Sequence, residues 1–300
     1  MAAPAIETVG LTKFYGERRG VENLDLRIEA GEVFGYLGPN GAGKTTTIRL
    51  LLDLIRPTRG SAAIAGLDTR ADSLEARRKT GYLPGELKVP SQSTAAAYLG
   101  FLGRLRGGVE AKAVSDLAER LGLDLDRRIG DLSKGNKQKV GIVAAFVHDP
   151  EILILDEPTS GLDPLRQRDV LELIHERAAA GRTVFLSSHE LDQVEHAAGR
   201  VGIVRDGRLV AVESMAALRQ RAVRRVEVRV AGPVDASGLD RVPGVSEVAV
   251  YDGTIHLVVE GSMDALVKEL ARLPVQTLTS EPPELEEVFR SYYGDSPDGN

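Results

Sequence analysis

The residues Gly38, Pro39, Asn40, Gly41, Ala42, Gly43, Lys44 and Thr45 combine glycine, lysine and a hydroxyl at the spacing of a phosphate-gripping loop. Glycines let backbone N–H groups turn inward around phosphate oxygens, the lysine neutralises charge at the β and γ positions, and the threonine hydroxyl can ligate Mg²⁺. Thr46 follows as a further phosphate-binding candidate. Alone, the segment says only that the chain grips a nucleoside triphosphate. The other reading, a tight glycine turn with no ligand, is opposed by the strand expected before it and the helix expected after it.

A second cluster sits at 152–157, where the apolar run Ile152, Leu153, Ile154 and Leu155 delivers Asp156 and Glu157. Asp156 suits a water-mediated Mg²⁺ contact, and Glu157 could polarise an attacking water. Two acids closing a strand are also an ordinary solvated cap, so the pair gains meaning from its neighbours. These are Leu132-Ser133-Lys134-Gly135-Asn136, Ser160-Gly161-Leu162-Asp163 and Ser187-Ser188-His189-Glu190. A serine opening a helix can be a plain N-cap or can offer the same free donors to an anion.

In this order the segments resemble the nucleotide-binding domains of ATP-binding cassette proteins, over about residues 7–214. The resemblance implies an ATPase that uses ATP and Mg²⁺. It also implies a head-to-tail pair, in which the loop of one copy holds the phosphates while Ser133, Gly135 and Asn136 of a second copy cover them. Glu157, His189 and Lys44 take the catalytic roles, Asp163 couples the two sites, and Tyr15 stacks on adenine. The sequence departs from the family in two places. After Gly81-Tyr82-Leu83-Pro84 stand Gly85 and Glu86 instead of the usual glutamine, leaving Glu86 as a candidate Mg²⁺ ligand through oxygen. In the serine-glycine signature, Lys134 and Asn136 replace the commoner glycine and glutamine.

The elements that must position these groups follow from hydrophobic period. Residues 21–28 alternate, 33–37 read as a buried strand, and 45–54 carry helical spacing that ends before Pro57. Helical patterns run over 94–122, after Ser133, around 170–174 and over 191–196; strands are expected at 152–155 and 183–186. Strands alternating with helices imply a parallel α/β core. Beyond a basic stretch at 219–225, read as a link, come a strand at 225–230 and a hairpin of 245–250 with 254–259 around Asp252-Gly253. Helices at 263–273 and 283–292 flank a short strand near 275–278. The expected fold class is α/β: a P-loop NTPase core with a mostly parallel sheet, an antiparallel β subdomain, a helical subdomain at about 88–145 and a small α+β C-terminal domain. The expected boundaries are 1–220 for the ATP-binding domain, 222–294 for the accessory domain and 295–300 for a disordered tail.

The chain has 300 residues, 42% apolar and 27% charged, which suits a globular protein with a sizeable core. A net charge of −6 gives no overall pull toward nucleic acid or anionic lipid, although a local basic patch could still exist; no nucleic-acid partner is expected. The absence of cysteine excludes disulfides and thiolate metal sites. The first residues lack a signal-peptide pattern, and no apolar run approaches the roughly 20 residues of a membrane span. A transport role would therefore need an integral-membrane permease and would place the chain at the cytoplasmic face of the membrane. Within the resemblance, the run at 81–87, the signature and the C-terminal appendage point to a bacterial exporter of drugs, antibiotics or other amphipathic compounds. Two alternatives stand beside it: a soluble mechanoenzyme acting on ribosome or DNA, and a regulatory ATP sensor.

Overall fold

Apolar runs decide which strands lie at the centre. The computed structural model describes residues 3–89, 91–221, 223–232, 236–280 and 285–293. In chain order it begins with β1 (Ile6–Tyr15), β2 (Arg18–Ile28), β3 (Val33–Leu37), α1 (Lys44–Leu51), β4 (Arg59–Ile64), β5 (Leu67–Asp68), α2 (Ser73–Arg78) and β6 (Thr80–Leu83). Next come α3 (Ala95–Leu105), α4 (Ala111–Leu121), α5 (Lys134–Phe146), β7 (Ile152–Asp156), α6 (Pro164–Ala179), β8 (Thr183–Ser188), α7 (Leu191–Ala197), β9 (Arg200–Arg205) and β10 (Arg208–Ser214). The last elements are α8 (Met215–Arg221), β11 (Val223–Val230), β12 (Val245–Tyr251), β13 (Thr254–Glu260), α9 (Asp264–Leu270), β14 (Val275–Ser280) and α10 (Leu285–Tyr293). Contacts divide the chain into two compact units, Met1–Val212 and Glu213–Asn300.

In the first unit a six-stranded sheet runs in the order β10-β9-β3-β8-β7-β6. β3 is parallel to β8 and β9, and β7 is parallel to β6 and β8. β3, β7 and β8 are buried at every position, which is why they read as continuous apolar runs. Phe34, Tyr36, Ile48, Leu51, Ile152, Ile154 and Phe185 share one core cluster. Tyr36 is fully buried, with its hydroxyl 3.2 Å from Thr47 Oγ1, and burial pushes its phenol up to about 12. Because these strands are parallel, the segments after β3, β6, β7 and β8 all leave the sheet at one edge, where α/β proteins place their ligands. A second sheet, β2-β1-β4-β5, pairs antiparallel throughout.

In the second unit the strands lie in the order β12-β13-β11-β14, with antiparallel pairing. Strand, turn, strand, strand, helix, strand in that order is the split β-α-β arrangement, with a 3₁₀ turn at Leu239–Arg241 in place of the first helix. Val226, Val228, Val230, Ile255, Leu257, Leu266 and Leu270 form its core.

Several elements differ from the sequence expectation. The basic stretch at 219–225 is not a link: 215–221 is α8 and 223 already opens β11. Its charges lie on exposed surface, where Arg221 Nη1 meets Glu213 at 3.2 Å and donates to the Tyr292 hydroxyl at 2.9 Å. The helical pattern at 45–54 ends at Leu51, where Asp53 takes a left-handed φ of 54°. The expected tail at 295–300 lies outside the described residues, as does the start of the helix expected at 283.

His148, after α5, is held well below the usual histidine range, at about 4, first by burial and then by the nearby Arg106 guanidinium. A depressed pKa means that the unfolded chain takes up this proton first as the pH falls, so native stability declines between about 6.5 and 4. Urea unfolding of the nucleotide-free protein across that range should show this acid loss, and His148→Gln should flatten it. An unchanged slope in the variant contradicts the assignment.

Candidate nucleotide site

The loop between β3 and α1 turns on glycines. Gly41 has φ 83° and Gly43, the residue before α1, has φ 105°. A Cβ on Gly43 would lie 2.5 Å from the Gly20 carbonyl oxygen, so both conformation and space require glycine there. The first turn of α1 contains no acidic residue, which leaves its N–H groups and positive dipole end free for an anion. Thr47 N closes the turn onto Gly43 O at 2.9 Å.

Lys44 is buried, and its Nζ donates to Gly38 O at 2.6 Å and Pro39 O at 3.2 Å. Its third neighbour is Glu157 Oε1 at 3.4 Å. The other oxygen of that carboxylate, Oε2, lies 2.7 Å from His189 Nδ1. Three expected catalytic side chains, delivered by the ends of β3, β7 and β8, thus meet at one carboxylate. Glu157 takes φ 53°, a left-handed conformation that a non-glycine residue holds only when its surroundings fix it. Its N–H donates to Ser187 O at 3.1 Å.

Asp156 is buried, and it accepts from Thr45 Oγ1 at 2.8 Å and Ser187 Oγ at 2.5 Å. This hydroxyl and carboxylate pair offers the hard oxygens that Mg²⁺ takes beside a phosphate. Among the described residues no group of three or more His, Cys, Asp or Glu is placed to hold a metal alone. Glu86 lines one cavity with Thr45 and Asp156; its side chain is 84% exposed and lies 3.9 Å from Lys88, while the preceding Gly85 packs against Asp156.

These groups line a cavity of about 1330 Å³ that includes Asn40, Gly41, Gly43, Lys44, Thr45 and Thr46. Tyr15 stands at its wall, 46% exposed, with Lys13 Nζ 5.2 Å from the ring centre. The ring packs over Gly20, where a Cβ would approach Tyr15 Cε2 to 2.9 Å. Ser133, Gly135, Asn136 and Asp163 do not line the cavity. Ser133 and Asp163 are exposed N-caps of α5 and α6, accepting from Asn136 N at 3.2 Å and Arg166 N at 3.1 Å. A Cβ on Gly135 would lie 2.5 Å from Gly161 O, so the two glycine segments pack directly on one another.

Sequence reasoning assigned no role to Ser187 or Gln138, yet both hold the acidic pair. Gln138 Nε2 donates to Glu157 O at 3.0 Å and Pro158 O at 3.3 Å. Gln138 stands among Lys137 and Lys139 at the polar start of α5, so its residue type gave no signal. Arg18 and Arg19, the first residues of β2, add positive charge to the cavity wall. Their adjacency in the sequence was visible.

The ABC transporter family pattern matches residues 21–160, and the pattern described as ATP-binding protein DrrA1-3-like, C-terminal domain, matches 214–293. The bacitracin transport ATP-binding protein BcrA of Enterococcus faecalis is 34% identical over 96% of each chain. The chain belongs to the ABC transporter ATP-binding proteins. The daunorubicin/doxorubicin resistance ATP-binding protein DrrA of Streptomyces peucetius is 39% identical over 69% of this chain and 64% of its own length. A solved ATP-binding subunit of an ABC transporter superposes with TM-score 0.66 at 31% identity, over 72% of this chain and 92% of that one. A dimeric cassette bound to ADP and Pi shares the fold at 23% identity and TM-score 0.64, over 70% of this chain and 98% of that one. As an ABC subunit, this protein binds ATP and hydrolyses it to power a transporter.

Gly43→Ala should lower unfolding stability by about 1–3 kcal/mol, because the methyl group must displace the Gly20 carbonyl. Chemical denaturation without nucleotide measures it. A variant as stable as the parent would show that the loop and β2 do not pack as described.

Proposed function

We propose that this ABC subunit drives export of an antibiotic or similar amphipathic small molecule, working as a head-to-tail pair docked on an integral-membrane permease at the cytoplasmic face. The likeness to BcrA, which spans both units of the chain, supports the cargo class, as does the likeness to the resistance protein DrrA. The alternative of a motor on ribosome or DNA draws no support from these relatives. Among the described residues no helix is long and apolar enough to cross a membrane, so the permeation path is assigned to the partner.

The observation that carries the chemistry is the Glu157 carboxylate held between Lys44 and His189. In this reading the free N–H groups of the loop and α1 bind the β and γ phosphates, and Lys44 Nζ exchanges its carbonyl partners for phosphate oxygens. Glu157 accepts a hydrogen bond from the attacking water and draws off proton charge, while His189 fixes the carboxylate and faces the γ position. Thr45 and Asp156 are the residues that would hold Mg²⁺, which when bound neutralises phosphate charge. Tyr15 offers its free ring face to adenine. Ser133, Gly135 and Asn136 open α5 away from the cavity of their own copy. They are assigned to the nucleotide of the second copy, with Asp163 beside the contact.

The native protein should be recovered from detergent-solubilised membranes together with an integral-membrane protein. In that assembly Glu157→Gln should lower steady-state ATP turnover by about 100-fold or more while ATP still binds. Recovery only with ribosomes or DNA, or unchanged turnover in the variant, contradicts the reading.

A further inference from the structure

The main chain of Glu157 has an unusual set of restraints. Its left-handed φ of 53° turns the chain sharply at the end of β7, and this turn decides where the carboxylate points. On one side the Glu157 N–H is tied to Ser187 O at 3.1 Å on β8. On the other, its carbonyl accepts from Ser160 N at 3.2 Å and from the Gln138 side chain at 3.0 Å. The same Gln138 nitrogen reaches Pro158 O at 3.3 Å.

A primary amide has two donor hydrogens, so Gln138 can satisfy two carbonyls that point the same way. Its residue is only 6% exposed, which makes these contacts stronger than surface ones and costly to lose. Lys139 beside it is also buried, and Val140, Gly141, Ile142 and Val143 beyond are buried without side-chain hydrogen-bonding groups. Hydrophobic packing alone would favour leucine here.

We propose that Gln138 is a positioning residue for ATP hydrolysis: from α5 it clamps the Glu157–Pro158 turn and so aims the Glu157 carboxylate at the water between His189 and Lys44. It touches neither nucleotide nor water and acts through Glu157. The inference rests on the proposed role of Glu157. Removing the clamp leaves the loop, Lys44 and the Thr45–Asp156 pair intact, so binding persists while turnover falls. A leucine would fill the volume and donate nothing, leaving two buried carbonyls without this partner.

The test is a double-mutant cycle on the full chain, using single-turnover hydrolysis of radiolabelled ATP for the slow variants and steady-state kinetics for the others. Gln138→Leu should lower kcat by about 10- to 100-fold, the scale of a misplaced catalytic group, and leave KM for ATP unchanged. Gln138→Leu combined with Glu157→Gln should be no slower than Glu157→Gln alone, because both changes disable one function. Should the leucine variant not fold, Gln138→Glu keeps the shape and removes both donated hydrogens, with the same expected pattern. Losses that multiply in the double variant, or a raised KM with unchanged kcat, overturn the proposal. If Glu157→Gln alone turns over like the parent, the role of Glu157 has failed and the clamp falls with it.

Discussion

A lysine ammonium buried inside a protein must be surrounded by oxygen, and in this chain that requirement organises everything near β3. Lys44 finds two loop carbonyls and the Glu157 carboxylate. A buried cation held mostly by neutral carbonyls, among free N–H donors at a helix start, makes the site strongly attractive to a polyanion. The glycines at 41 and 43 exist to let the backbone make this arrangement. The parallel sheet exists, in effect, to carry Glu157 and His189 to the same point.

The second consequence is asymmetry. The first unit gathers binding and hydrolytic groups around one cavity, yet the signature residues Ser133 and Gly135 lie off that cavity, at the start of α5. The close approach of Gly135 to Gly161 means that the signature and the segment after Glu157 share a surface. In the proposed pair this surface of exposed helix N-caps faces the phosphates of a second copy, the site of one copy is half of a larger one, and solitary chains are expected to hold ATP without turning it over efficiently.

Much of this was legible in the sequence wherever one physical cause acted alone. β3, β7 and β8 are uniformly buried and read directly as apolar runs. The phosphate loop was legible because its residue types have few other uses at that spacing. Less visible were β6, only four residues long and interrupted by Gly81, and β1, whose register shifts break its alternation. The β9–β10 connection was missed although Asp206-Gly207 repeats the signal read at Asp252-Gly253, with left-handed φ values of 49° and 75° against 48° and 74°. The stretch at 219–225 misled because charge was read as a link, whereas its arginines decorate a helix and a strand. Gln138 escaped because its role depends on a long-range approach of α5 to the end of β7. Glu86, visible in the sequence as a departure from the family pattern, lines the nucleotide cavity with an exposed side chain beside Lys88.

Whether the opening of α5 from a second copy completes the site can be measured directly, because the chain has no cysteine. Asn40→Cys and Asp131→Cys chains, both carrying Glu157→Gln to hold the nucleotide, can be mixed and treated with a short bismaleimide. Covalent dimers joining the two different chains should form with Mg-ATP and not without it. No cross-link above that of each chain alone, or the same yield without nucleotide, would contradict completion by a second copy.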